Sequence, residues 1–263
     1  MPAPTPPWSY ATPGPLAARI ALHARYGTAP VPWHRWVFDR LGLVEGAKVV
    51  EVGCGPGTLW VANAAHVPAD VRLRLTDLSP GMVGAARDAL RRAGLRADIV
   101  VEVDVADAAR LPFPDASADV VLAAHMLYHV DDRPRAIAEA RRVLRPGGRF
   151  VATTNGRAHL RELSAVAIEH VAGWVPHDPT TAFGLEHGEA QLRGSFRDVS
   201  VTRHEGGLVV PDVEPLLAYL CSLPGLDALP PAKVERLRAA LEAHLASHGP
   251  LRITTDSGAF VAT

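Results

Sequence analysis

Residues 49–58 read VVEVGCGPGT, a valine-rich run followed by glycines at alternating positions. Valine-rich runs are typical of buried strands, and glycines directly after a strand let the backbone turn sharply and approach a ligand. The same turn can also simply connect a strand to a helix. No Gly-Lys-Ser/Thr follows, which excludes a phosphate-binding P-loop, and G-x-G-x-G fits a dinucleotide fingerprint poorly.

Strands and helices alternate after this loop. One helix is predicted over residues 79–93, with Ser79 as its N-cap and Gly94 as its stop, and Asp132 opens another. A helix is also predicted over residues 58–65. Strands separated by helices predict a parallel, doubly wound sheet. The predicted strands are 48–52, 71–76, 99–105, 119–124, 150–154, 199–204 and 259–262.

Composition and charge narrow the class of protein. The chain has 263 residues, of which 48% are hydrophobic and 21% charged, as in ordinary globular proteins. Its net charge of −1 argues against a surface that binds nucleic-acid backbones. Two cysteines, Cys54 and Cys221, are too few for a zinc cage or a disulfide framework and indicate a reducing compartment. With no signal peptide or membrane span evident, we expect a cytoplasmic protein without a membrane partner.

Acidic residues follow the second and third predicted strands. Asp77 ends the second strand, where a carboxylate can accept both hydroxyls of a ribose. Asp107 and Ala108 follow the third strand, where an acid and a backbone N–H can bind the amino edge of adenine. Each acid alone could be an ordinary turn residue. With the glycine loop, however, they mark the carboxyl ends of three consecutive strands, where open α/β sheets bind ligands.

Five motifs, in order along the chain, resemble those of class I S-adenosylmethionine-dependent methyltransferases. They are VVEVGCGPGT (49–58), LTDLSPGM (75–82), DAARLPFPDASADVV (107–121), AAHMLYHV (123–130) and RVLRPGGRF (142–150). Within that class they are similar to the small-molecule group that includes the ubiquinone/menaquinone and sterol methyltransferases. The likeness is strong over about residues 45–155, and it implies S-adenosyl-L-methionine as the cofactor and S-adenosyl-L-homocysteine as its product.

Pattern and resemblance together predict the fold class, which is α/β. We expect a Rossmann-like, doubly wound, seven-stranded sheet with an N-terminal helical cap and a helical insert after strand five. The resemblance implies that the last strand is antiparallel to the others. Residues 1–44 would form a proline-rich lead and the helical cap, and residues 45–263 the S-adenosylmethionine-binding domain. Its insert, at about 156–198, would shape the acceptor pocket.

The resemblance also implies which residues bind the cofactor. Glu51 and the loop of residues 53–57 would hold its methionine part, and Asp77 its ribose hydroxyls. Asp104 could exchange roles with Asp107 at the adenine, although the distance to the Leu-Pro-Phe that follows favours Asp107. The full predicted set is Tyr26, Glu51, Gly53, Cys54, Gly55, Gly57, Asp77, Leu78, Met82, Asp107, Ala108 and His125.

Two histidines in the fourth-strand segment are the candidate catalytic residues. Because histidine as a residue type titrates near neutrality, His129 and His125 could accept a proton from the acceptor. Either could instead be structural, with its ring bonded to the backbone. Their spacing of four residues could also suit metal ligands, but no third ligand follows at a typical spacing, so we expect no metal.

Aromatic residues supply the candidate substrate-binding positions, namely Tyr10, Trp33 and Tyr128. Tyr10 and Tyr26 each carry a polar tip and suit a lid that closes over cofactor and acceptor. Trp33 and Trp36 could equally belong to the hydrophobic core.

Taken together, the sequence predicts methyl transfer from S-adenosylmethionine to an oxygen or nitrogen of a small organic acceptor. A chain with only two lysines and much Ala, Arg, Gly and Pro suggests a GC-rich bacterium and secondary metabolism. No N/D/S-P-P-Y/F motif follows strand four, so we expect no nucleic-acid partner, although an RNA methyltransferase remains an alternative. A second alternative is a cofactor-binding protein that does not methylate, such as a cyclase or a regulator. We expect a monomer or a homodimer.

Overall fold

The computed structural model describes residues 14–263, which divide into two compact units. The first, which we call the sheet unit, comprises Trp33–Gly156, Pro179–His204 and Ser257–Thr263. The second, the helical unit, comprises the described residues before 33, Arg157–Asp178 and Glu205–Asp256. The predicted lead and cap, residues 1–44, is therefore divided between the two units, as is the predicted insert at 156–198.

The described residues contain two sheets. The strands are β1 (Lys48–Val52), β2 (Arg72–Asp77), β3 (Val100–Val105), β4 (Ala118–Ala124), β5 (Leu144–Asn155), β6 (Val199–His204), β7 (Gly207–Val210), β8 (Leu251–Thr254) and β9 (Ser257–Ala262). Seven of them form one sheet in the order β3-β2-β1-β4-β5-β9-β6. Strands β1 to β5 pair in parallel, whereas β9 is antiparallel to both β5 and β6. The predicted doubly wound sheet, with an antiparallel last strand, is confirmed.

The helices of the described residues follow the predicted pattern closely. They are α1 (Gly14–Tyr26), α2 (Trp33–Leu41), α3 (Thr58–Ala62), α4 (Pro80–Arg92), α5 (Arg133–Val143), α6 (Arg161–His170), α7 (Gly188–Leu192), α8 (Val213–Leu220) and α9 (Pro231–His248). The Ser79 hydroxyl caps α4 by accepting the Met82 N–H at 3.3 Å, and Asp132 caps α5 through the N–H of Arg135 at 3.1 Å. Gly94 adopts a φ of 67°, as expected where α4 stops.

The helix predicted over residues 58–65 is wrong in its length. Helix α3 ends at Ala62, and a separate 3₁₀ turn covers Ala64–His66. The buried side chain of Asn63 explains the break, because its amide donates to the Leu59 carbonyl at 2.8 Å and to the His34 carbonyl at 3.1 Å. The Asn63 amide thus bonds the carbonyl that a backbone N–H would bond if the helix continued. Such competition between a side chain and the backbone ends the helix.

Two hydrophobic cores lie on the two faces of the large sheet. Successive strand residues point to opposite faces, so Val49 belongs to one core and Val50 to the other. Residues of α2, α3 and α4 complete the first core, and residues of α5 the second. This packing leaves the carboxyl ends of the parallel strands at one edge of the sheet.

The helical unit has a core of its own. Its apolar side chains come from α1, α6, α8 and α9 and from the two-stranded antiparallel sheet of β7 and β8, and they include Leu22, Leu163, Leu217, Leu241 and Ile253. The small sheet is absent from the predicted strands because its members are short and lie far apart in the sequence. None of the described helices is both long and apolar enough to cross a membrane.

Candidate functional site

The glycine loop after β1 is fixed by backbone hydrogen bonds to β2. The N–H of Cys54 donates to the Thr76 carbonyl at 2.9 Å, and the N–H of Gly55 donates to Asp77 Oδ2 at 2.9 Å. Gly53 has a φ of 66°, and a Cβ atom there would lie 2.7 Å from the Cβ of Met126. A side chain at position 53 is therefore excluded by both conformation and space.

Asp77 connects the glycine loop to the start of α4. Its Oδ2 accepts from Gly55, and its Oδ1 accepts the N–H of Ser79 at 2.8 Å. Because each carboxylate oxygen can accept more than one hydrogen bond, these contacts leave acceptor capacity for ligand hydroxyls. The predicted ribose role of Asp77 stays a prediction, at a position whose geometry is fixed by two backbone donors.

Glu51 lies beneath the loop and is almost wholly buried, with 2% of its surface exposed. Its Oε2 accepts from the indole Nε1 of Trp60 at 2.6 Å. Burial raises the pKa of Glu51 to about 8, with a smaller contribution from the nearby charge of Asp77. At neutral pH the carboxyl group is therefore largely protonated. Trp60, itself fully buried, was not among the predicted residues, although it stands within the helix that follows the loop.

The thiol of Cys54, in the same loop, is buried. Burial raises the pKa of Cys54 well above its usual value, and the carboxyl groups of Glu51 and Asp77 add to the effect. The thiol therefore stays protonated at neutral pH, which does not suit a nucleophile.

The predicted adenine-binding residues follow β2 and β3. Leu78 is 67% exposed, whereas Met82 is buried in the first turn of α4. Asp107 follows β3 and accepts the N–H of Ala109 at 2.9 Å. Asp104, the alternative to Asp107, lies within β3 and forms an ion pair with Arg87 at 3.1 Å. The structure thus gives the two acids different settings, and the adenine contacts stay a prediction.

His125 stands where β4 ends, beside the glycine loop. Its backbone N–H donates to both the carbonyl and the hydroxyl oxygen of Thr153 on β5, each at 3.1 Å. Its φ of 52° is in the left-handed region, which residues other than glycine rarely adopt. The following residue, Met126, occupies the space above Gly53. Unusual backbone of this kind is concentrated at functional sites.

His129 and Tyr128 lie in a 3₁₀ turn, Leu127–His129, directly after His125. The ring of Tyr128 is 4.5 Å from that of His129 and 6.3 Å from that of His125, between centroids. Nδ1 of His129 is buried. The structure therefore brings both candidate bases and Tyr128 together at one end of β4.

Trp33, a predicted substrate-binding residue, contacts His125. Its ring centroid lies 5.1 Å from that of His125, 5.3 Å from that of Trp36 and 5.3 Å from that of His204. Sequence reasoning missed His204, which ends β6. The only available signal was a histidine at the carboxyl end of a predicted strand.

Two predicted residues are not placed with the others. Tyr26 belongs to the helical unit, where its hydroxyl donates to Asp212 Oδ2 at 2.5 Å, a hydrogen bond that raises the pKa of Tyr26. Tyr10 lies outside the described residues. Within the part of the chain that the structure describes, no three His, Cys, Asp or Glu side chains are grouped as metal ligands would be.

Comparison with known proteins identifies the domain that carries this site. Residues 50–152 match the family described as "Methyltransferase domain". They form a class I S-adenosylmethionine-dependent methyltransferase domain. The match begins inside β1 and ends inside β5, so it contains the glycine loop, Asp77 and both candidate bases.

Two relatives of this methyltransferase domain match by sequence. The methyltransferase GfsG of Streptomyces halstedii is 33% identical over 154 residues, which is 57% of this chain and 51% of that protein. The ubiquinone/menaquinone biosynthesis C-methyltransferase UbiE of Idiomarina loihiensis is 36% identical over 119 residues, which is 45% of this chain and 47% of that protein. The chain thus spans about half the length of these curated relatives.

A solved structure has the same fold as this chain. The [4+2]-cyclase SpnF superposes with a TM-score of 0.57 at 22% sequence identity, covering 96% of this chain and 92% of that one. At this identity the likeness establishes the fold alone.

S-adenosylmethionine is the cofactor of this domain class, and the residues present fit it. A carboxylate at the end of β2 suits ribose hydroxyls, and a glycine loop without side chains lets the backbone approach a ligand closely. The φ of Gly53 and the space filled by Met126 show that the loop must stay bare. Glu51 and Asp77 would hold the methionine and ribose parts, and the cofactor would supply an electrophilic methyl group.

Proposed function

We propose that the protein transfers a methyl group from S-adenosylmethionine to an oxygen or nitrogen of a small organic acceptor, with His125 as the proton acceptor. One observation carries the proposal: His125 directly precedes Met126, the residue in contact range of Gly53 in the cofactor loop. The imidazole is therefore attached to the chain just after β4 ends, beside the glycine loop. A base at this position would lie beside the proposed cofactor loop, within reach of an acceptor bound there.

Methyl transfer is an in-line displacement that needs three contributions from the chain. The acceptor must be held at a near-attack distance, water must be kept out, and a hydroxyl or ammonium acceptor must lose its proton. The His125 imidazole would take that proton on a ring nitrogen. Tyr128, whose ring is near those of both His125 and His129, would contact the acceptor.

The small size of the acceptor is supported by the charge and chemistry of the chain. A net charge of −1 does not favour a nucleic-acid backbone, and the acceptor side of the site presents imidazole, phenol and indole rings. The relatives named for ubiquinone and menaquinone biosynthesis are C-methyltransferases by name. Transfer to carbon is therefore an outcome that the experiment below must distinguish.

The proposal includes the cellular compartment and the oligomeric state of the protein. Cys54 and Cys221 are both free thiols, which suits a reducing compartment such as the cytoplasm. Bacterial secondary metabolism, and a monomer or homodimer as the working form, complete the proposal.

The test is calorimetry with S-adenosylhomocysteine, followed by mass spectrometry of incubations with S-adenosylmethionine and a panel of phenols, alcohols and amines. We expect binding, and a product heavier by one methyl group whose NMR methyl shift shows attachment to oxygen or nitrogen. A methyl group attached to carbon would overturn that part of the proposal. In His125→Ala, product formation should fall by ~10²-fold or more while S-adenosylhomocysteine binds as in the wild type. His129→Ala should lose less, and His170→Ala, which removes a surface histidine of the helical unit, should lose nothing.

Different results would redirect the proposal. A wild-type rate in His125→Ala, with a large loss in His129→Ala, would transfer the proton-accepting role to His129. Binding with no methylated product from any acceptor would favour a protein that does not methylate. Methylation of RNA, with binding that weakens steeply as salt rises, would favour the RNA alternative.

A further inference from the structure

A stack of planar groups leads from α2 to His125. The guanidinium carbon of Arg40 lies 3.3 Å from the ring centroid of Trp36. Trp36 stacks on Trp33, with centroids 5.3 Å apart and planes 21° apart, and Trp33 lies 5.1 Å from the His125 ring at 43°. These separations are those of favourable aromatic and cation–π pairs. All four groups belong to the sheet unit.

Both ends of this stack are attached to the backbone. Arg40 Nη1 donates to the Trp36 carbonyl at 2.8 Å, which holds the guanidinium over its own helix. At the other end the N–H of His125 is bonded to Thr153 on β5. Those bonds fix the Cα atom of His125 but do not involve its ring. The ring of Trp33 supplies a contact on the imidazole itself, which limits its rotation.

His204 closes the stack from the side. Its ring meets Trp33 nearly edge-on, at 5.3 Å and 78°, and Trp36 at 5.1 Å and 66°. Trp33 is thus in contact with three rings, from its own helix, from the end of β4 and from the end of β6. A side chain held in this way is a rigid surface for the ring that rests on it.

We propose that Trp33 is a positioning residue, which holds the His125 imidazole in the orientation that accepts the acceptor's proton. The inference rests on the proposed function of His125, and it replaces the predicted role of Trp33 in binding substrate. A base contributes fully only when its nitrogen meets the departing proton within narrow limits of distance and angle. His204 and the Arg40–Trp36 pair support Trp33 from two sides and keep its indole in place.

The orientation of His125 can be measured without an acceptor. In the full-length protein with isotope-labelled histidine, NMR reports the ring-proton shift and mobility of His125, assigned through His125→Asn. Trp33→Leu should remove the indole ring current, so the His125 signal moves toward its value in a flexible chain and its mobility rises. Trp33→Phe, which restores a ring, should recover much of the wild-type signal. Trp174→Leu, which removes a half-buried tryptophan of the helical unit, should leave it unchanged.

Binding and turnover separate positioning from folding. S-adenosylhomocysteine should bind Trp33→Leu within about twofold of wild type, since none of the residues predicted to hold the methionine or ribose part is changed. Once an acceptor is known, kcat should fall ~10-fold or more in Trp33→Leu, with KM for the acceptor little changed. His204→Ala, which leaves Trp33 intact, should show a smaller loss in the same direction.

Three results would overturn the inference. The first is a His125 signal that does not respond to Trp33→Leu, and the second is a loss of S-adenosylhomocysteine binding equal to the loss of turnover. The third is a rise in the acceptor KM alone, which would return Trp33 to substrate binding. If instead His125→Ala turns over normally, the assignment of His125 as the proton acceptor fails, while the NMR result still reports whether Trp33 orients the ring.

Discussion

The site has two sides, a proposed cofactor side around Asp77 and Glu51 and a proposed acceptor side around His125, and they are held by different interactions. On the cofactor side, backbone N–H groups and an indole donate to the carboxyl groups of Asp77 and Glu51 at 2.6 to 2.9 Å. On the acceptor side, rings of α2, β4 and β6 contact one another at centroid distances near 5 Å. Hydrogen bonds depend steeply on distance and angle, whereas ring contacts accept replacement by another ring.

This difference predicts two kinds of response to substitution. On the cofactor side, a single added carbon or lost acceptor should change binding abruptly. On the acceptor side, a series of rings of decreasing size should give a graded loss, as proposed for Trp33. The predictions below test the cofactor side, first for cofactor binding in order of decreasing effect and then for stability.

The largest effect is expected for Gly53→Ala. The new Cβ would lie 2.7 Å from the Cβ of Met126, so the loop must move away from the position that exposes its backbone to the cofactor. Calorimetry should show S-adenosylhomocysteine binding weakened by ~100-fold or more, as for the loss of several hydrogen bonds of ~1 kcal/mol each.

Gly46→Ala is the matched control for Gly53→Ala. Gly46 has a φ of 72°, close to that of Gly53, but a Cβ there would meet nothing within 4 Å. Both variants carry the strain of a left-handed alanine, of roughly 1–2 kcal/mol, whereas only one disturbs the loop. Equal cofactor affinities in the two variants would contradict the role of the Met126 contact.

A smaller effect is expected for Asp77→Ala. The substitution leaves the N–H groups of Gly55 and Ser79 without their acceptor and removes the predicted ribose contact. Titration should show cofactor binding weakened by ~1–3 kcal/mol. Asp77→Asn, which keeps one acceptor oxygen, should recover part of the lost binding free energy. Glu102→Ala, which removes an exposed acid of β3 with no predicted cofactor role, should bind as wild type. Full affinity in Asp77→Ala would exclude the ribose assignment.

A separate effect, on stability rather than on binding, is a pH dependence that arises from Glu51. Its carboxyl group has a pKa of about 8 in the folded protein against 4.5 in a model peptide, so the unfolded chain releases this proton at lower pH. The protonated carboxyl group therefore stabilises the fold fully below about 4.5, and this contribution is lost as pH rises to about 8. The free energy of unfolding, from urea titrations across that window, should fall more steeply in the wild type than in Glu51→Gln. Parallel profiles would show that Glu51 is ionised in the folded state.

The cofactor side could be predicted from the sequence because its partners are close in the chain. Gly55 follows β1 and Asp77 ends β2, the next strand, and the turn, the cap of α4 and the strand ends all follow from local patterns. The strands and the doubly wound order follow from the same alternation of valine-rich runs and helices. Even here the Trp60–Glu51 bond was missed, because an indole in a short apolar helix is indistinguishable from an ordinary core residue.

The acceptor side could be predicted only in part. His125, Tyr128 and His129 share one segment and were identified together, whereas His204 reaches Trp33 across a long stretch of chain that no local pattern spans. The shortened α3 shows the same limit on a smaller scale, since its end depends on the Asn63 amide and on a carbonyl of α2. Contacts between distant elements decide these details.

The division of the chain into two units has a consequence for how such a protein can be altered. The chain passes from one unit to the other at five points, after residues 32, 156, 178, 204 and 256. Neither unit is a continuous stretch, so no truncation isolates either of them, and a nick in one connection leaves four others intact. Two of the connections start from Trp33 and His204, whose rings touch within the sheet unit. Grafting a different helical unit onto this sheet would therefore mean rejoining the chain beside Trp33, which contacts His125, and beside His204, which contacts Trp33.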